Sequence, residues 1–289
     1  METETELRKI IRLFLYLAID CLMIKFYNER VIYLVFERMN CFSEKFKEGD
    51  TVLDVKNQEM NRLFNELMSG DILLGDDLQQ FKKDHKVNIT DMAINKIPFV
   101  KFHILSEEQN YRLFEFEHEV LKISANTNNS NEVAITCAFV DSVQPEYSVV
   151  LGTEYEINLL ADPETYHLLR SPGFNKIVVN IHNHPSCSIF SVFDIMFFLT
   201  ETNLRLMVLL SNKGQLFYML KTDNYRHSEC RALFMEIVEK VHPKTFQNGK
   251  FHIGSLNHDE LIKISHNFLK QSIKVGIEYR AVQGGGSNA

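Results

Sequence analysis

Tryptophan is missing from all 289 residues, and the aromatic load rests on 22 phenylalanines and 10 tyrosines. That implies a phenyl-rich core and nothing more. Cysteine is scarce: Cys21, Cys41, Cys137, Cys187 and Cys230 make an odd set of five with no C-x-x-C pair. This excludes a disulfide framework and fits free thiols in a reducing compartment. No run of lysine and arginine stands out, and 31 basic residues against 38 acidic ones leave a net charge of −7. Duplex nucleic acid is bound largely by neutralising phosphates, so this balance argues against it as the main partner. Long apolar runs are lacking as well. Seven uncharged residues separate Arg12 from Asp20, and Lys25 soon follows, whereas a membrane-spanning helix needs about 20 mostly apolar residues. The acidic opening METETELRKI does not suit a secretory leader. The expectation is a cytoplasmic protein without a membrane partner.

What is present is ordinary globular composition, 45% hydrophobic and 24% charged, in a chain long enough for one large domain or two average ones. Residues 1–104 read as a helical N-terminal region, structural or bound to a protein partner. Leu7, Ile10, Ile11, Phe14 and Leu17 recur there at helical spacing. GDTVLDV reads as a turn into a short strand, and QEMNRLFNELMSG as a helix ending near Gly70. A second unit, 105–222, opens with a Ser106 N-cap and two early glutamates. It alternates helix and strand. EVAITCAFVD, EYSVVLG and TEYEINLL read as strands, DPETYHLLR as a short helix capped by Asp162, and NKIVVNIHNH as a strand. SVFDIMFFLTETN is a helix, and LRLMVLLSNKGQLFYMLKTD a hairpin turning at Asn-Lys-Gly. Helices are expected over 223–280, then a flexible tail, 281–289. The fold class is α/β (α+β), a mixed sheet flanked by helices.

The stretch HNHPSCSIFSVFD, His182 to Asp194, concentrates the chemistry. Residues two apart at a strand end point to one side, so His182 and His184 can reach one ion while Asn183 faces away. Pro185 ends the strand. Ser191 starts the next helix, and Asp194 lies in its first turn, able to point back at both imidazoles. Two histidines and an aspartate make a three-ligand zinc site with a fourth position for water. Ser191 and Asp194 also fit a helix capping box, although glutamate is usual at the last place. Cys187, in the loop between, is either a spare soft ligand or a filler of the loop. The remaining histidines show no ligand spacing to one another.

His-x-His-Pro followed by Ser-x-x-Asp resembles the JAMM signature of the JAB/MPN metalloprotease family, and the wording HNHPS is closest to its prokaryotic, RadC-like branch. The resemblance covers about 106–222. It implies one Zn2+ per chain on His182, His184 and Asp194, with Ser191 steadying the oxyanion. A glutamate at the start of the domain's first strand would act as acid and base. Glu132, which opens EVAITCAFVD, matches that place; Glu154 and Glu156, on a neighbouring strand, compete with it. Glu107, Glu108, Glu115, Glu117 and Glu119 belong to the preceding helix and read as solvated. The resemblance implies hydrolysis of an isopeptide or peptide bond next to the C-terminus of a ubiquitin-like protein. Cys187 stands where RadC-like relatives often have glycine. Nine residues, 185–193, separate His184 from Asp194, one fewer than the family usually has. Two other readings stand beside the enzyme: a catalytically silent JAB-like interaction module, and a RadC-like role in DNA processing, against which the acidic balance weighs.

Overall fold

A computed structural model describes residues 86–140, 143–170, 176–243, 246–247, 250–251 and 256–282. The helix and strand expected before residue 71 lie outside these residues, as does the tail from 283 onwards.

The described chain opens with a short helix α1 (Asp91–Asn95), capped by the Thr90 side chain. The long helix α2 (Glu107–Thr127) follows, with a reciprocal capping box between Ser106 and Gln109. Two strands, β1 (Val133–Val140) and β2 (Val143–Leu151), form a hairpin. A 3-10 turn at Leu159–Ala161 leads to α3 (Pro163–Arg170), whose backbone at Thr165 donates to the Asp162 carboxylate at 2.7 Å. Then come β3 (Ile177–His184), α4 (Val192–Thr200), β4 (Leu204–Ser211) and β5 (Leu216–Lys221). The chain continues through α5 (His227–Val241), the two-residue strands β6 (Phe246–Gln247) and β7 (Lys250–Phe251), α6 (His258–Gln271) and β8 (Ile277–Val282).

Six strands join in the order β2-β1-β3-β4-β5-β8. Only β3 and β4 run parallel; every other neighbour is antiparallel. The sheet is therefore mixed, in a mixed α/β fold. A parallel pair needs a crossover, and α4 is that crossover.

Both faces of the sheet are covered, which is why β1, β4 and β5 read as nearly continuous apolar runs. On one face Ile94 of α1 and Leu113, Phe116, Val120 and Leu121 of α2 pack on Val133, Ile135, Val179, Ile181 and Val208. On the other, α3, α4, α5 and α6 pack on Ala134, Ala138, Val178, Met207, Leu209 and Met219. Helix α4 is the most deeply set. Ile195, Met196, Phe198 and Leu199 are fully buried, and each such side chain contributes roughly 1.5–3 kcal/mol of transfer free energy. Its C-terminal end is tied down at Glu201. The carboxylate there meets Arg170 at 2.8 Å, and the carbonyl accepts from the buried Lys221 ammonium at 2.7 Å. The two ties fix the depth of α4 and hence of the residues at its start.

Three sequence expectations need correction. Residues 153–160 do not make a strand. The Thr153 hydroxyl accepts from the backbone N–H groups of Tyr155 and Glu156, and the Thr153 N–H donates to the Glu156 carbonyl, so the chain turns at once. Ile277–Val282, expected to be the end of the C-terminal helices up to 280 and the start of the flexible tail from 281, is the edge strand β8. Gly276, at φ 83°, ends the preceding 3-10 turn (Ser272–Val275) in a conformation that favours glycine. Finally, residues 86–104, read with the N-terminal region, belong to the packed body: Ile94, Ile97 and Phe102 share the core under α2.

Candidate metal centre

The site forms where β3 ends and α4 begins, at the carboxyl edge of the parallel pair. Strand alternation sends His182 and His184 to the α4 face, and both are buried. Their ring centroids lie 5.1 Å apart. Each turns Nε2 toward Asp194: His182 reaches Oδ1 at 3.6 Å and His184 reaches Oδ2 at 3.3 Å. One ligand atom from each of the three residues falls within 4.8 Å of the other two. Among the described residues this is the one such group of three or more histidine, cysteine, aspartate or glutamate side chains.

Asp194 is placed by the helix start. Ser191 is the N-cap of α4, and its hydroxyl oxygen accepts from the Asp194 N–H at 3.1 Å. In return Asp194 Oδ2 accepts from the Ser191 N–H at 2.6 Å and from its hydroxyl at 2.7 Å. The capping box and the ligand position are thus one arrangement. The cap holds the carboxylate by Oδ2 and leaves Oδ1 turned to His182. The nine-residue spacing between His184 and Asp194 leaves Asp194 beside both histidines.

Asn183 faces away, as strand alternation requires. Its amide nitrogen donates to the Asn212 side chain at 2.8 Å and to the Asn131 carbonyl at 3.2 Å, while its oxygen accepts from the Val133 N–H at 2.8 Å. Asn212 in turn donates to the carbonyls of Val87 and Ser130, and the Val87 N–H donates to the Pro185 carbonyl. These bonds fasten the loop behind the two histidines.

The protonation states suit a cation. Burial pushes the His182 imidazole down to about 4, against the pull of Asp194, so the ring is neutral near pH 7 and can offer a lone pair. Burial alone would raise Asp194. The charge and hydrogen bond of His184, then His182 and Ser191, outweigh it and hold the carboxyl well below its ordinary range. His182 Nε2 is buried with no hydrogen-bond partner, which is costly for a polar atom unless something occupies that direction. Two imidazoles and one carboxylate are a donor set that fits zinc.

Glu132 directly precedes β1 and continues its pairing with β2: its N–H donates to the Thr153 carbonyl and its carbonyl accepts from Gly152. Ala134 stands opposite His182 in the sheet. Two places further back, the same alternation puts buried Glu132 on the face of the two histidines. Glu154 and Glu156 lie in the turn after β2, not on a strand. Of the glutamates on α2, Glu117 is not solvated; it is buried against the sheet. Cys187 does not join the ligand group. Its backbone sits at φ 56°, a region that favours glycine, and burial pushes its thiol up.

Two residues near the site went unread in the sequence. Asn180 meets His182 Nδ1 at 3.1 Å, and Ser188 meets His184 Nδ1 at 3.0 Å. Asn180 was readable in principle, since it lies two places before His182 on one strand. Several other histidines have local partners, such as His242 with Glu260 at 2.7 Å and His118 with the Phe114 carbonyl. Among the described residues no helix is long and apolar enough to cross a membrane. Comparison with known proteins finds no match to this chain, whether among family models, curated proteins or solved structures.

Proposed function

We propose that the chain is a zinc-dependent amide hydrolase of JAB/MPN type, acting on an isopeptide or peptide bond, with the C-terminus of a ubiquitin-like protein as the favoured substrate class. The observation that carries this reading is the convergence of one ligand atom each from His182, His184 and Asp194 within 4.8 Å, with His182 Nε2 buried and without a hydrogen-bond partner. Those three residues would hold the ion. When bound, zinc polarises a carbonyl and lowers the pKa of a water to about 7.

The chain's own groups do the rest. Glu132, on the same face as the histidines, takes a proton from the attacking water and returns it to the leaving amine. Ser191 donates its hydroxyl to the oxyanion, a contribution of about 3 kcal/mol for one such donor. That hydroxyl now donates to Asp194 Oδ2, so this role requires it to exchange one acceptor for the other. The N-terminal region remains a candidate for binding a protein partner.

The test has two parts. Metal-replete full-length protein should carry close to one zinc per chain, and Asp194→Asn should lose it. Glu132→Gln should keep the zinc yet cleave a ubiquitin-like protein with a C-terminal amide-linked fluorophore at least about 100-fold more slowly. A wild-type chain without zinc would leave the interaction-module reading. A Glu132→Gln variant that cleaves at the wild-type rate removes Glu132 from the mechanism.

A further inference from the structure

The face of the sheet that carries the histidines is largely apolar around them, where Ala134, Ala138, Val178, Met207 and Leu209 line it. Among the polar residues set into it are Asn180 on β3 and Thr136 on β1, both essentially without solvent exposure. They are register partners, and the Asn180 amide nitrogen donates to the Thr136 hydroxyl at 3.0 Å. Burying a carboxamide in an apolar layer is unfavourable unless its groups are hydrogen-bonded. This one is used on both sides: nitrogen to Thr136, oxygen to His182 Nδ1 at 3.1 Å.

A neutral imidazole carries one proton, on either nitrogen, and the partner of one nitrogen decides the state of the other. With the amide nitrogen committed to Thr136, the oxygen faces Nδ1 as an acceptor. The proton then belongs on Nδ1, and Nε2 is left with its lone pair bare. Nε2 is the atom that points to Asp194 Oδ1 and lacks a hydrogen-bond partner.

We infer that Asn180 is a positioning residue, oriented by Thr136, which holds His182 in the Nδ1–H tautomer so that Nε2 is set to ligate a divalent cation. The inference rests on the proposed metal role of the triad and adds a specific support to it. Outer partners of this kind fix ring orientation and tautomer, and losing one typically costs 10–100-fold in metal affinity.

The test is made on the full chain with 15N-labelled histidine. Long-range proton–nitrogen correlations of metal-free protein report the tautomer directly, with His182 assigned by the peaks lost in His182→Gln. Wild type should show Nδ1 protonated and Nε2 bare. Asn180→Leu should shift His182 toward Nε2–H and weaken Zn2+ binding, followed by calorimetric titration, about 10–100-fold. Asn180→Asp, which still offers an acceptor to Nδ1, should keep the wild-type tautomer. If Asn180→Leu does not fold, Thr136→Val should shift the tautomer the same way by releasing the amide. A protonated Nε2 in wild type overturns the inference whatever the chain binds. So does a folded Asn180→Leu with unchanged tautomer and affinity. Failure of wild type to bind Zn2+ counts instead against the hydrolase reading, so the two ideas fail separately.

Discussion

Glu117 shows how one side chain can set a pH response. It is buried on the sheet-facing side of α2, and its Oε2 has no hydrogen-bond partner. Burial raises its carboxyl well above the ordinary value, so the folded chain holds this proton more tightly than the unfolded chain does. Its contribution to stability is therefore complete below the unfolded carboxyl's pKa and is lost as pH rises through the folded one. Glu117→Met, which fills similar space without a polar atom, should gain roughly 1–3 kcal/mol near pH 8. That gain should shrink toward pH 4. Urea midpoints at both pH values measure it, and an equal gain at the two would sink the idea. In sequence, Glu117 looked like four other glutamates of its helix. Its burial follows from the angle at which α2 lies on the sheet, which periodicity does not fix. Asn180 was hidden for another reason: one polar residue in an apolar strand reads as an interruption until its neighbour across the sheet is known.

At the level of elements, the start of α4 does two jobs with one pair of residues. Ser191→Ala should cost about 1 kcal/mol through the lost cap, visible as a lower denaturation midpoint, while Ser191→Thr should restore most of it. An unchanged midpoint in the alanine variant would mean that the cap is idle. The elements whose boundaries are set by local chemistry were legible: Ser106 before α2, Asp162 before α3, Ser191 before α4, and Gly214 at φ 79° in the β4–β5 turn. Those set by competition were not. Residues 153–160 have strand-like composition, but the Thr153 side chain captures two backbone N–H groups and the strand never starts. Ile277–Val282 follows a helix and continues its apolar content. It becomes strand because β5 offers an open edge, with Tyr218 opposite Arg280 and Leu220 opposite Glu278.

Across the molecule, the three candidate ligands belong to two elements, β3 and α4, that must be docked for the ion to be held. Zinc held by the proposed triad would therefore be coupled to folding. At free zinc about 100 times Kd the folded state should gain about 2.7 kcal/mol, a rise of several degrees in the thermal midpoint. A chelator should reverse it, and Asp194→Asn should not respond. Equal midpoints with and without zinc in wild type would contradict the coupling. The triad was readable from sequence because it spans 13 residues, 182–194, of one strand–loop–helix passage.

Glu132 depends on something of longer range, the alignment of β1 beside β3. Were that pair to slide by a single residue, every side chain of β1 would change sides. The ion's cradle would survive intact, while the carboxylate would be carried to the wrong surface. The Val133 N–H bond to the Asn183 side chain is a bolt against such a slide. On the proposed reading, it lets the residue between the two histidines guard the link between holding a metal and using it.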